Sequence, residues 1–226
     1  MNKNTTLGEL VAQYPKSAKL FEQHKIDYCC NGHRKVDEAL RDHADKESIM
    51  NELTIIMDTS TDTNTDWTKT DLQALVNHIL NTHHAYLYKT LPTLSELTTM
   101  IYRVHGQNHP ELQVIHRTFH ELKMELESHL IKEETIQYPA IETYLTSKNN
   151  DALKQAQTVI QELEDEHEVA GNALKRLREL SCDYAIPEAV CGTYERTYAL
   201  LEALEKDMFK HIHLENNILF KRLLAL

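Results

Sequence analysis

The chain has 226 residues, with 24 Lys and Arg against 35 Asp and Glu for a net charge of −11, 14 His, 4 Cys, and only 5 Gly and 5 Pro. Gly and Pro together make up roughly 4%, about a third of ordinary usage, which excludes a turn-rich all-β fold and favours long helices. The acidic balance excludes sequence-independent nucleic-acid binding, which needs a basic surface, and no run approaches the roughly 18 apolar residues of a membrane span.

In chain order, the opening MNKNTTLGEL lacks the apolar core of a signal peptide, so a cytoplasmic location with reduced cysteines is expected. Residues 1–57 read as a small helical module. Thr6-Leu-Gly-Glu9 has the form of a capping box, and Leu10, Val11, Leu20 and Phe21 supply an apolar set behind it. Asn31-Gly32 signals a turn directly after Cys29 and Cys30. A disulfide between neighbours is strained, so this pair reads as free thiols, metal ligands or redox groups presented at the module's surface. A second helical run covers 36–57. The module is short of core by itself, so it is expected to dock on a partner or on a second copy, making a homodimer through this module one expected assembly. Residues 58–66, DTSTDTNTD, carry no apolar side chain and read as a linker.

Residues 67–226 carry four long helical patterns: 67–104 with Pro92 as a kink or break, 110–144, 151–180 and 187–224, separated by Asn108, Asn149-Asn150 and Ile186-Pro187. The expected fold is therefore all-α, an antiparallel four-helix bundle preceded by a small helical domain.

An imidazole and a carboxylate four residues apart on a helix project within about 40° of each other. By chance about two such His-to-acid pairs are expected from these abundances, and four occur: His33/Asp37, His43/Glu47, His129/Glu133 and His211/Glu215. The first two lie in polar surroundings and read as solvated surface pairs. The other two lie on apolar stripes, where buried carboxylates demand a cation. His167 belongs to the inward stripe of the third helix, and His83 or His84 to that of the first; periodicity does not separate those two. Four imidazoles and two carboxylates suit a pair of first-row ions, iron or manganese before zinc, whereas a mononuclear two-His-one-carboxylate site would leave ligands over. Only Glu164/His167 has the Glu-x-x-His spacing of ferritin-like centres, which disfavours that alternative. Glu125, one turn before His129, and Asp207, one turn before His211, read as outer acceptors or proton relays, and Glu166 beside His167 has a weaker claim to the same role. His116, His120 and His213 are expected to face outward, and Cys182 and Cys191 receive no function.

Four stretches, Ile26-DYCCNG-His33, SHLIKEE at 128–134, EDEHEVAG at 164–171 and HIHLENNILF at 211–220, together resemble the repair-of-iron-centers di-iron proteins of the YtfE/ScdA type. The resemblance implies a hemerythrin-like bundle holding two iron ions on His84, His129, Glu133, His167, His211 and Glu215, with Glu133 and Glu215 bridging. It carries the nearby acidic role to Glu125 and Glu166. It implies a role in repairing iron–sulfur clusters after nitrosative or oxidative damage. The leading reading is donation of iron to damaged or apo iron–sulfur proteins, and because thiolates are soft ligands suited to such clusters, Cys29 and Cys30 are expected to guide transfer or dock on the damaged cluster. The rival readings are a di-iron nitric oxide reductase and a sensor of oxygen or nitric oxide. Oxygen-carrying hemerythrins, which the chain resembles in fold, have a further His where Gly171 stands here, so this centre has one ligand fewer and is more open. Many family members have Gly at position 31; Asn tolerates positive φ, so the turn is expected to survive.

Overall fold

The computed structural model describes residues 4–59 and 65–226, and all its regular elements are helical. Contacts divide the chain into two compact units, Met1–Leu75 with Phe209–Leu226, and Val76–Met208.

The first unit opens with α1, Leu7–Gln13, and α2, Lys16–Gln23. Thr6 accepts from the Glu9 amide at 3.2 Å while Glu9 accepts from the Thr6 amide at 2.9 Å, so two first-turn donors are satisfied reciprocally, as the capping box requires. The second helical run is broken, contrary to the continuous helix expected: α3 is only Val36–Ala39 and α4 is Lys46–Thr59. The Asp45 amide is taken by His43 Nδ1 at 3.2 Å, while the Asp45 carbonyl starts the next helix by accepting from Ile49, so one helix cannot pass through. Helix α4 runs through Asp58 and Thr59, and residues 60–64 of the expected linker lie outside the described residues.

What the small module lacks in core is supplied by the C-terminal segment of its own chain. Leu7, Phe21, Leu40 and Ile49 are fully buried, as are Ile212, Leu219, Phe220 and Leu223. Each such side chain contributes on the order of 1.5–3 kcal/mol of burial. Asn217 donates to the carbonyls of Cys29 at 2.9 Å and Tyr28 at 3.3 Å, clamping the cysteine turn. Gly8 and Gly32 flank that amide, and a Cβ on either would collide with Asn217. Neither Asn31 nor Gly32 has positive φ, so Gly32 is required for close approach and the turn forms without the left-handed backbone anticipated at Asn31.

The second unit contains most of the bundle. Helix α5, Leu72–Ile79, passes through a π turn at Leu80–His84 into α6, Ala85–His105; α7, Glu111–Lys132, passes through a second π turn at Glu133–Gln137 into α8, Tyr138–Ser147. Then come α9, Asn150–Thr158, and α10, Ile160–Leu180, and finally α11, Gly192–Leu214, which leaves this unit after Met208. The directions follow from the pairs. Thr99 meets His116 and His84 meets Glu134, so the first and second helices are antiparallel. His129 meets Glu166 and Lys132 meets Glu162, setting the third antiparallel to the second. His83 with Asp207, and His105 with Tyr194, do the same for the fourth and first.

Pro92 does not break α6. Its ring sits on the exposed side, where water can satisfy the carbonyl that loses its amide partner. The third pattern divides at Val159, and the fourth helix starts five residues later than expected because the connection is held by left-handed residues, Cys182, Asp183 and Tyr184 and then Ala189. A third π turn, Glu215–Leu219, separates α11 from α12, Phe220–Leu224.

Candidate metal centre

Four of the six expected ligands belong to the bundle unit, and its helices bring them together. His84 closes the first π turn, His129 lies in the last turn of α7, Glu133 opens the second π turn and His167 lies within α10. All four are buried, Glu133 completely. Its two oxygens face different imidazoles: Oε2 is 3.3 Å from His84 Nε2, and Oε1 is 3.2 Å from His129 Nε2. His167 Nε2 lies 3.0 Å from His129 Nε2, so His129, Glu133 and His167 offer ligand atoms all within 4.8 Å of one another.

Two imidazoles are anchored from behind. His84 Nδ1 is 2.8 Å from Glu134 Oε1, which also accepts from the Tyr88 hydroxyl at 3.0 Å. His129 Nδ1 is 2.7 Å from Glu166 Oε2, and the Lys132 ammonium holds the other oxygen of Glu166. A carboxylate at Nδ1 keeps the ring proton there and turns the Nε2 lone pair inward. The His84 and His129 nitrogens each face a Glu133 oxygen that carries only lone pairs, and His129 Nε2 also faces the His167 ring, a convergence of electron-pair donors that a cation converts into bonding. The donor set fits metal on this ground, and a carboxylate with one imidazole beside each oxygen has the form that bridges two ions.

Electrostatics reinforce the anchors. Partial burial alone would raise the Glu166 carboxyl, but the hydrogen bonds from Lys132 and His129 outweigh it and hold the group below the usual carboxylate range. Tyr88 is pushed up to about 12, first by burial and then by Glu134, so its hydroxyl remains a donor.

His83 is also buried, but its Nδ1 is 3.0 Å from Asp207 Oδ1, while His84 takes the place beside Glu133. The π turn widens the helix at this point, so both imidazoles bury where regular periodicity expects one. On the closing helix, in the other unit, His211 Nε2 lies 3.1 Å from Glu215 Oε2 with both side chains fully buried, and Glu215 opens the third π turn.

Several expectations are corrected. Glu125 is exposed: His129 stands at the margin of the α7 buried stripe, and about 40° further round lies solvent. Glu166 holds the acidic position beside His129, despite its weaker claim from spacing. Glu134 was not anticipated, although the consecutive acids of SHLIKEE are its signal, one residue past Glu133 and turned toward the first helix. His213 is not solvated; it is buried with its ring edge-on to Tyr28 at 5.6 Å, and loss of solvation pushes it down to about 3. His116 and His120 are half-buried, their rings 4.3 Å apart, both beside the Thr99 hydroxyl.

Cys29 and Cys30 are thiols rather than a disulfide, their sulfurs 3.7 Å apart, in a turn organised by Asp27. Asp27 Oδ1 accepts from the amides of Cys30 at 3.0 Å and Asn31 at 3.2 Å and from the Cys29 thiol at 3.3 Å; Oδ2 accepts from the Asn31 side chain at 2.8 Å. The expectation that both thiols sit at the surface holds for neither in full. Cys29 is buried, which pushes its thiol well up, and Cys30 is half-buried.

Residues 75–223 match the family model of the hemerythrin HHE cation binding domain, and residues 3–56 match a domain of unknown function, DUF542, also called the ScdA N-terminal domain. Over 224 residues the chain is 28% identical to the iron-sulfur cluster repair protein ScdA of Staphylococcus epidermidis, covering 98% of this chain and 99% of that one. It is 32% identical over 224 residues to the iron-sulfur cluster repair protein YtfE of Enterobacter sp. (99% and 98% covered), and 30% identical over 223 residues to YtfE of Yersinia pseudotuberculosis (98% and 97%). With the buried His and Glu donors, the cation-binding match makes the bundle a metal-binding domain.

Proposed function

The chain belongs to the hemerythrin HHE cation-binding family, and from that premise we propose that it is a non-haem di-iron protein that repairs iron–sulfur clusters damaged by nitrosative or oxidative stress, by donating iron. The observation that carries the di-iron reading is Glu133, whose oxygens face His84 on one side and His129 on the other. The proposed ligand set is His84, His129, Glu133 and His167 from the bundle unit with His211 and Glu215 from the closing helix. The last two enter on the family's ligand pattern and on their own buried pairing.

Iron held there would supply an exchangeable metal, and Gly171, standing where oxygen carriers have a further imidazole, leaves the chain one ligand fewer to hold it. The residues of this chain set how tightly it is held. Glu134 and Glu166 keep His84 and His129 in the ligating tautomer, and Lys132 neutralises Glu166 so that its negative charge does not accumulate beside Glu133. Cys29 and Cys30 are proposed to meet the recipient, since thiolates suit a sulfur-rich partner better than histidine and carboxylate do.

The test uses the reduced, iron-loaded full chain with an apo iron–sulfur enzyme and, in a parallel vessel, with nitric oxide. Recovery of enzyme activity matched by iron leaving the bundle supports donation. Catalytic nitrous oxide formation without iron loss would overturn it in favour of a nitric oxide reductase.

A further inference from the structure

Two cysteines lie outside the Asp27 turn, at opposite ends of the connection between α10 and α11. Cys182 and Cys191 are both exposed thiols, and they differ in what lies beside the sulfur. Cys191 immediately precedes α11, and its carbonyl accepts the Tyr194 amide at 2.9 Å, which places the sulfur at the amide-rich end of a long helix. The imidazole of His105, the last residue of α6 and 86 positions earlier, comes within 3.2 Å of that sulfur through Nε2. His105 is not a passing surface side chain: it is half-buried, and its ring stands edge-on to Tyr194 at 5.5 Å. Tyr194 is itself completely buried and meets His109 on another side, also at 5.5 Å. The titratable groups around the pair are therefore His105 from α6, His109 and Glu111 from the connection to α7 and its first turn, Tyr194 from α11, and Cys182 across the connection.

We propose that Cys191 and His105 form a reactive thiolate–imidazole pair, a site of thiol–disulfide exchange that takes small-molecule disulfides. The proton of the thiol passes to His105 Nε2. The Cys191 sulfur attacks one sulfur of the disulfide, a new S–S bond forms to Cys191, and the original S–S bond breaks with its electron pair leaving on the other half. That departing thiolate takes the proton back from His105. Cys191 is oxidised to the mixed disulfide and the leaving half is reduced to a thiol, so the small disulfide is the oxidant and no further reagent is needed. The environment supports the step: the hydrogen bond from His105, followed by the amides of Tyr194 and Thr193, holds the Cys191 thiol down at about 7. Cys182, which is also exposed, provides an internal comparison in the same molecule.

The experiment treats the full chain with iodoacetamide across a pH series, and separately with oxidised glutathione at pH 7, locating adducts by peptide mass spectrometry. Cys191 is expected to react ahead of Cys182 at pH 7 and to carry the glutathione adduct. In His105→Gln the midpoint of the Cys191 profile moves up toward that of an ordinary thiol. Fewer thiolates, partly offset by their greater nucleophilicity, leave its rate at pH 7 about fivefold lower. The Cys182 rate and the far-ultraviolet circular dichroism stay unchanged. Equal reactivity of the two cysteines in the unmodified chain, or an unmoved Cys191 profile in His105→Gln, would overturn the proposal. Neither readout depends on iron.

Discussion

At the bundle centre, Glu134 and Glu166 bind the outer nitrogens of His84 and His129 and leave the inner nitrogens facing Glu133. In the cysteine turn the single carboxylate, Asp27, lies inside the loop and commits its oxygens to two backbone amides, a side-chain amide and a thiol. The outer carboxylates of the bundle set donors against one another, so that arrangement calls for a cation. Asp27 does the reverse, folding the backbone around itself and satisfying donors that would otherwise be orphaned. Burial also keeps Cys29 a neutral thiol, which leaves half-buried Cys30 as the accessible sulfur. The two regions differ as a site built to hold metal differs from a turn built to present a side chain.

The sharpest break of this comparison is at Glu133. On the proposed bridging role, Glu133→Ala removes a ligand shared by two ions, and iron is expected to fall from about two per chain to well under one, with the helical signal retained. Metal analysis beside circular dichroism reads this. Two iron retained by the variant would mean that Glu133 does not bridge.

Glu166→Gln and Glu134→Gln address the anchors. An amide accepts the imidazole proton less strongly than a carboxylate, and loss of such a partner typically weakens metal binding about 10–100-fold. Competition with a chromogenic chelator measures the change, and Glu125→Gln, altered at an exposed position, should match the unmodified protein. An effect of Glu125→Gln as large as that of Glu166→Gln would mean that exposure at position 125 does not describe the working state.

This contrast also marks what could be read from the chain alone. The all-α class, the helical stretches and the buried character of His129, Glu133, His167, His211 and Glu215 were legible, because apolar stripes at helical spacing report which face is buried. The anchors were less so: Glu166 had only a weak claim from its position, and Glu134 had none. Glu134 and Glu166 lie off the stripes, on partly exposed faces, and reach their imidazoles across to a neighbouring helix, a relation that no spacing within one helix encodes. The π turns hid the choice between His83 and His84 for a similar reason, since they change the angular step at the residues that matter. The burial of His213 was hidden because its neighbour lies on another element: two residues of separation turn the ring away from His211, but toward Tyr28 rather than water.

Asp27→Ala sharpens the other half of the comparison. The Cys30 and Asn31 amides would turn to water, at a cost of about 1–2 kcal/mol to the unit that contains the turn. Chemical denaturation followed by the fluorescence of Trp67, which lies in the same unit, should show the lower midpoint, and Cys29 should alkylate faster as the turn opens. Bundle iron should be unchanged. An unaltered midpoint together with lost iron would reverse the assignment, making Asp27 a metal-related residue rather than the organiser of the turn.

The smallest effect on metal is expected from the cysteines themselves. Ser is close to Cys in size, and Cys30 meets Asp27 through its backbone amide, so Cys30→Ser should preserve the turn, and bundle iron should stay at about two per chain because none of the proposed ligands is touched. Cys29→Ser differs in one respect: it puts a more polar hydroxyl into a buried position and should cost about 1 kcal/mol, read as a small drop in denaturation midpoint. The two variants therefore separate structure from chemistry. If the turn exists to present a thiol to a damaged cluster, Cys30→Ser should lose most reactivation of an apo iron–sulfur enzyme at full iron loading and full stability. Cys29→Ser should lose stability and retain more of the reactivation. Full reactivation by Cys30→Ser would remove the thiol from the transfer step and leave the histidine and carboxylate centre as the sole functional site.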